Sequence, residues 1–393
     1  MSDYVERAEA MKEKLVAIRR DLHMHPELSF QEVRTAQQVA RTLDELRIEY
    51  TPGVAKTGVV GHLGEGSPVI ALRADMDALP IVEANEVSYK SLNQGVMHAC
   101  GHDAHTTSLL GAAMLLAEDF NAGRLKGTVR LLFQPSEENW DEEGKSGGRR
   151  MVEEGALEGV DGVVGLHVIS TLPSNEIYVR EGPFMAAVDT FYGTVIGRGG
   201  HGAYPHEALD PIWLSAQVVN AIHGIVSRRM DPIENGLISV TMIHSGTANN
   251  IIPVEVQLAG TIRSFKPEVR EQLHRDLERA FSLARAWGGD YRLEIQHGYP
   301  VTRNNPEMAR FVRDMAVGLL GPERVKEATM EMGAEDFSYM AQAKPGAFFY
   351  VGAKKDTVER RHHAPDFDID EAVLPTGAAL LAEAARKFLA EKG

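Results

Sequence analysis

Cys100, the single cysteine among 393 residues, stands in the run Met97-His98-Ala99-Cys100-Gly101-His102-Asp103-Ala104-His105. A lone cysteine makes no intramolecular disulfide. A thiolate beside imidazoles, with Gly101 letting the backbone bend between them, is ligand chemistry for a borderline divalent cation. The competing reading is a small buried apolar residue, the common state of a free cysteine. A second polar cluster, Gln134-Pro135-Ser136-Glu137-Glu138, follows the apolar run Val129 to Phe133. Adjacent carboxylates in a turn can divide their duties, one on a metal and the other free as a base. The plain alternative is a solvated acidic loop that continues through Asp141, Glu142 and Glu143.

Other candidates sit at similar places. Gly165-Leu166-His167-Val168 ends an apolar run with a histidine, and His362-His363 precedes Ala364-Pro365. A histidine after a strand is more often a hydrogen-bonded structural residue. Strand ends share one rim of a sheet, however, and cysteine, histidines and a glutamate gathered there make a divalent-metal set. Asp75 and Asp77 follow Val69 to Leu72 and read either as groups orienting a ligand or as helix caps. Further on, Gly197-Arg198-Gly199-Gly200-His201-Gly202-Ala203 is too glycine-rich for an element interior. Its backbone must bend tightly to present His201 and admit a close neighbour. It lacks the lysine pattern of a phosphate loop. Arg263 lies in an apolar strand and needs a carboxylate partner, from the protein or from a ligand.

The elements that must position these groups follow from periodicity. Val5, Ala8, Met11, Leu15, Ile18 and Leu22 predict an amphipathic helix over 4–24, and 34–46 repeats the pattern. Buried strands at 69–72, 129–133 and 163–166 alternate with helices at 106–117 and 148–154, which predicts a largely parallel α/β sheet. The character changes near Glu181-Gly182-Pro183. A strand at 187–195, a helix at 210–227, strands at 237–243 and 254–262, a helix at 267–286 and a strand at 291–296 form the split βαβ order. After Asn304-Asn305-Pro306 the α/β alternation resumes, with a strand at 347–351 and a last helix at 371–389. The domain plan is therefore 1–184 and 300–393 as one α/β domain, with 185–299 inserted as a ferredoxin-like α+β domain.

A formal charge of −15 opposes a nucleic-acid or anionic-membrane partner, which need basic surfaces. No apolar run approaches the ~20 residues that cross a bilayer. The first residues lack a signal-peptide core, and one cysteine suits a reducing cytoplasm.

Together these motifs resemble the dinuclear metallopeptidase and amidohydrolase family of aminoacylases, hippurate hydrolase, auxin-conjugate hydrolases and metal carboxypeptidases. Arg19 to His23 with His25 to Leu28, Leu72 to Pro80, Met97 to His105, Phe133 to Glu138, Gly165 to His167, Gly197 to His206, Asn250 to Pro253 and Met332 to Phe337 stand as family blocks in order. The resemblance implies two divalent ions per chain, zinc first, with manganese, cobalt or nickel as alternatives. Cys100 would bridge them, His102 and His167 would complete one site, and Glu138 and His363 the other. His363 is preferred to His362 because the family ligand stands four residues before the aromatic, here Phe367. Glu137 would be the general base and His201 an oxyanion donor, within its own chain or across a dimer. Asn250 and Arg263 would hold the substrate, with Arg263 on its carboxylate. The family's usual histidine and bridging aspartate are replaced by Asp75 and Cys100, so the chain resembles the thiolate-bridged branch. The roles of Asp75, Asp77, His98 and His105 stay open.

The activity implied is amide hydrolysis of N-acyl amino acids or short peptides, by an enzyme that forms a homodimer or homotetramer through the inserted domain. A dedicated deacetylase of an N-acetylated diamino acid uses the same machinery. A silent metal-stabilised binding protein is opposed by retention of Glu137. A cysteine hydrolase with Cys100 as nucleophile leaves Glu137, Glu138 and His363 unexplained.

Overall fold

Four apolar segments lie side by side as parallel strands in the order Gly127–Gln134, Val69–Asp75, Gly162–Pro173 and Gly346–Lys354. Nearly every residue of Val69–Asp75 and of Gly346–Lys354 is buried. Strands covered on both faces read as continuous apolar runs, which is how the sequence shows them. Antiparallel strands Gly58–Glu65 and Glu49–Val54 extend one edge, and Ile177–Val179 and Val325–Glu327 extend the other, giving eight strands. The computed structural model describes residues 3–392. The described chain forms two units, each with its own core. One runs through Phe184 and resumes at Arg303–Thr329 and from Asp336 onward; the other is Met185–Thr302 with Met330–Glu335. The six residues Met330–Glu335 thus group with the inserted unit, not with the segment that follows it in sequence.

In the larger unit the helix His102–Asn121 is buried along most of its length. It starts four residues before the predicted boundary, since its first turn carries polar residues that hide the apolar period. It crosses the final helix Val373–Lys392 at very short range. A Cβ on Gly111 would come within 2.7 Å of Ala378, and one on Gly377 within 2.5 Å of Ser108. The predicted helix over 4–24 is two helices, Tyr4–Ala10 and Lys12–Met24, divided at Met11, whose N–H turns back to the Ala8 carbonyl. The second helix places Arg19 and His23 beneath the start of His102–Asn121. The Arg19 Nε donates to Asp103 at 2.8 Å, and His23 Nδ1 lies 2.7 Å from the same carboxylate. Asp103 is acidic in a helical first turn, where the backbone dipole favours it.

The inserted unit is a four-stranded antiparallel sheet in the order Gly236–His244, Glu255–Ser264, Ala187–Ile196, Asp290–His297. Helices Pro211–Arg229 and Pro267–Ala286 cover one face, closing a core around Phe191, Leu214, Val218, Leu258, Leu273 and Phe281. Alternation along Ala187–Ile196 gives that strand one face in the core and one outside, with Tyr192 exposed.

Candidate metal centre

Gly101 ends the loop that carries Cys100 and opens the helix that carries His102. Its φ of 94° lies in the left-handed region, and a Cβ there would stand 2.4 Å from Val168. Both facts require glycine. Cys100 Sγ lies 3.4 Å from His167 Nε2. His167 does not end its strand, as the sequence suggested, but sits inside Gly162–Pro173, because parallel pairing with Gly346–Lys354 continues past it.

Hydrogen bonds fix which ring nitrogens are presented. His167 Nδ1 donates to the Val168 carbonyl at 2.7 Å, which leaves Nε2 as a lone-pair donor toward Cys100. His102 Nδ1 donates to the Asp77 carbonyl (2.9 Å) and lies 3.2 Å from Asp77 Oδ1, so its Nε2 faces Glu138 Oε1 at 3.9 Å. Anchoring one nitrogen so that the other meets a metal is the usual service of a carboxylate behind a histidine. His105 is excluded as a ligand. Its Nε2 accepts the Val168 N–H at 2.8 Å, so Nδ1 carries the proton and donates to Asp75 at 2.6 Å. Asp75 also faces Arg73 Nη1 at 2.8 Å. The two open aspartates are thereby separated: Asp75 braces His105, and Asp77 orients His102. His98 is buried and belongs to neither of the groups described below.

The turn after Gly127–Gln134 carries the two glutamates. Asp77 Oδ1 accepts the Glu137 N–H and Oδ2 accepts the Glu138 N–H, each at 3.0 Å. The side chains then part. Glu138 Oε1 lies 3.1 Å from His363 Nε2, while Glu137 Oε1 accepts the Asp336 N–H at 3.4 Å. Beneath the turn, buried Glu32 accepts the Ser136 N–H at 2.8 Å. Burial, then the charge of Asp77, pushes Glu32 up to about 7. An acid held above its unfolded value stabilises the fold fully at low pH and loses that contribution as pH rises through about 7. Glu32→Gln should therefore flatten the fall in melting temperature between about pH 5 and pH 8 that this linkage produces. Equal slopes for parent and variant would remove Glu32 as the cause.

The donors collect into two groups that share one sulfur: Cys100, His102 and Glu138, and Cys100, His167 and His362. Asp77 holds His102 by its ring and Glu138 by its N–H. His363 stays beside Glu138, half exposed, with a left-handed φ of 61°. His362, the other histidine of the doublet, is partly buried, and its ring centroid lies 5.2 Å from that of His167. The doublet of histidines was the available signal.

The residues fit a pair of cations. His102 Nε2 is buried without a hydrogen-bond partner, an arrangement that is costly unless something else satisfies it. Against the burial that lowers it, Asp75, Asp77 and Glu138 push His102 up to about 10. Burial and the carboxylates Glu138, Glu137 and Asp75 raise the Cys100 thiol well above its ordinary range. Such a thiol is a poor nucleophile. A divalent charge at the shared sulfur would reverse that balance and favour the thiolate.

The inserted unit holds the remaining candidates. Gly200–His201 pairs with Ile251–Ile252, and Gly202 N–H donates to the Asn250 carbonyl at 2.8 Å. The glycines admit this strand: a Cβ on Gly199 would meet the Ile252 carbonyl at 2.9 Å. His201 is exposed, and its Nδ1 accepts the Ala203 N–H at 3.0 Å, so Nε2 carries the proton. Asn250 is exposed. Arg263 Nε donates to the Met332 carbonyl at 3.0 Å and Nη1 to the Ile262 carbonyl at 3.1 Å, with Thr261 Oγ1 as a further partner. Among the described residues no carboxylate pairs with it.

Known proteins share this chain's length and fold. The sequence profile of Peptidase family M20/M25/M40 matches residues 71–387. Thermostable carboxypeptidase 2 of Saccharolobus solfataricus is 42% identical over 381 residues, covering 95% of each chain. IAA-amino acid hydrolase ILR1-like 5 of Arabidopsis thaliana is 40% identical over 383 residues, covering 95% of this chain and 86% of that one. The crystal structure of Bacillus subtilis YXEP protein, described as a dinuclear metal binding peptidase from the M20 family, superposes with a TM-score of 0.84. It is 35% identical and covers 97% of this chain and 99% of that one. Full-length identity at this level, on a fold that gathers cysteine, histidine and glutamate around orphaned donor atoms, has one consequence: the chain belongs to Peptidase family M20/M25/M40 and is a metal-dependent hydrolase acting on C–N bonds.

Proposed function

We propose that the enzyme hydrolyses the amide bond of N-acyl amino acids and of short or N-blocked peptides with a free carboxyl terminus. The observation that carries this reading is the divergence of the neighbouring carboxylates: Glu138 turns to the histidines and Glu137 to the Asp336 N–H. Cys100, His102, Glu138, His167 and His363 would hold two divalent cations, which would supply Lewis-acid polarisation of the scissile carbonyl and a lowered pKa of water. Zinc best suits the mixed sulfur, nitrogen and oxygen donors, with manganese, cobalt and nickel as the other candidates. Glu137 accepts the proton of the attacking water and passes it to the departing amine. The Nε2–H of His201 is assigned to the oxyanion and Asn250 to the substrate.

Arg263 is assigned to the substrate carboxylate. Its protein partners are all carbonyls or a hydroxyl, and burial lowers its pKa, so a carboxylate ligand would supply the missing countercharge. Arg263→Ala should raise KM roughly thirtyfold or more for substrates with a free carboxylate, the loss of a charge-assisted hydrogen bond. Amidated substrates should be little affected. Equal losses on both would refute the assignment.

The same proposal includes self-association through the inserted unit. Gly236–His244 is an edge strand whose Met242 and Ile243 are 49% and 56% exposed, the kind of edge that natural proteins otherwise cover. Sedimentation of the purified chain reads this directly. None of the described helices is long and apolar enough to cross a membrane. A cysteine that serves as a metal ligand suits a reducing cytoplasm. Substrate choice is tested by a panel of N-acetyl, N-benzoyl and N-carbobenzoxy amino acids with zinc, manganese and cobalt. Turnover that survives complete chelation would sink the metal mechanism.

A further inference from the structure

Glu32 is a fully buried carboxylate to which the hydrolytic reading gives no part. It stands immediately before the helix Val33–Glu45, where an acidic side chain ordinarily caps the backbone, yet it makes no capping bond. Glu27 does that instead, accepting the Arg34 N–H at 3.0 Å and the Thr35 N–H at 2.8 Å. Glu32 is thereby released to reach elsewhere. Its Oε1 accepts the Phe30 N–H at 2.9 Å and the Ser136 N–H at 2.8 Å, and its Oε2 accepts the Thr57 hydroxyl at 2.5 Å.

Ser136 is where this reach matters. Its φ of 46° is left-handed, a conformation that a residue with a Cβ keeps only where its surroundings over-determine it. The Ser136 carbonyl accepts the Gly147 N–H at 2.8 Å, and its hydroxyl donates to the Asn139 carbonyl at 2.9 Å. The next two amides, of Glu137 and Glu138, end on Asp77. Three successive N–H groups therefore end on two buried carboxylates. Glu32 holds the first of them, at the residue whose backbone sets the direction of the pair that follows.

We propose that Glu32 is a positioning residue that holds Ser136 in its left-handed conformation and so aims Glu137 and Glu138. The proposal rests on the metallohydrolase reading above. A carboxylate is suited to the task because one oxygen gathers two N–H groups from separate segments while the other is fixed by Thr57. The same contacts explain why an acidic residue should follow the Ser29-Phe30-Gln31 loop without capping the helix it precedes.

The test compares Glu32→Ala, Glu32→Gln and Glu32→Ala with Ser136→Gly. Divalent ions per chain are counted after dialysis, kcat and KM are measured on an N-acyl amino acid, and circular dichroism checks folding. Glu32→Ala should lose roughly a hundredfold in kcat, the scale of an ångström misplacement, with KM changed by less than about threefold. It should also hold fewer than two ions. Glu32→Gln keeps a carbonyl for the Ser136 N–H and should stay within about threefold of the parent kcat, the margin expected when the hydrogen bond survives. Glycine accepts φ of 46° without steric cost, so Ser136→Gly should recover part of the Glu32→Ala loss. Two ions and parental kcat in folded Glu32→Ala, or equal damage in the Gln and Ala variants, would overturn the proposal. If Glu32→Ala does not fold, Glu32→Asp decides: one methylene shorter, it should lose kcat with its fold intact, and a parental kcat would overturn the idea. A parent that binds no divalent ion would overturn the metallohydrolase reading itself, whereas two ions and the same kcat in parent and variant alike would overturn this inference alone.

Discussion

Glu137→Gln should abolish most turnover while leaving the ion content at the parental level. Gln has the same shape and keeps an oxygen for the Asp336 N–H, so the turn has no reason to move. Glu137 is a member of neither donor group built on Cys100, so its loss leaves both of them whole. What disappears is the group that takes the proton from water and returns it to the amine. General acid–base catalysis is worth about a hundredfold to ten-thousandfold, and here one residue serves in both directions, which places the loss at the upper end. The check is kcat beside ions per chain on the same preparation. Near-parental turnover would remove Glu137 from the mechanism. Lost turnover together with lost ions would make it a ligand instead.

Cys100→Ser should do the opposite. The sulfur is the one atom common to both donor groups, so its replacement damages each. A serine hydroxyl is far more reluctant to ionise than a thiol and is a harder donor. The cost is compounded because His102, His167 and the Oε1 atom of Glu138 would remain buried around a weaker centre. Affinity for both ions should fall by more than about a hundredfold, beyond what disturbing a group behind a ligand costs. With cobalt, the thiolate charge-transfer absorption should vanish. Two tightly held ions in Cys100→Ser would contradict a bridging sulfur.

The reach of the sequence differs from element to element. The parallel strands were legible because burial on both faces leaves continuous apolar runs, as in Val69–Asp75 and Gly346–Lys354. The inserted sheet was legible for a different reason: one covered face makes Ala187–Ile196 alternate. Polar residues needed for the site disturbed the apolar patterns of the larger unit. They hid the start of the helix at His102 and made His167 look like the end of its strand.

Residue types and their local spacing identified a thiolate, histidines and a carboxylate pair, since ligand and base chemistry are properties of side chains. Which atoms these groups present is set by long-range hydrogen bonds. Asp77 sends one oxygen to His102 and Glu137 and the other to Glu138. Glu32 reaches an amide 104 positions further along the chain. No periodicity records such a contact, because both partners are short polar stretches that meet only when the strands beneath them have paired. Composition and order determined the kind of chemistry and the architecture that carries it; the tertiary structure decided which atom faces which, because direction in space is a property of the folded backbone.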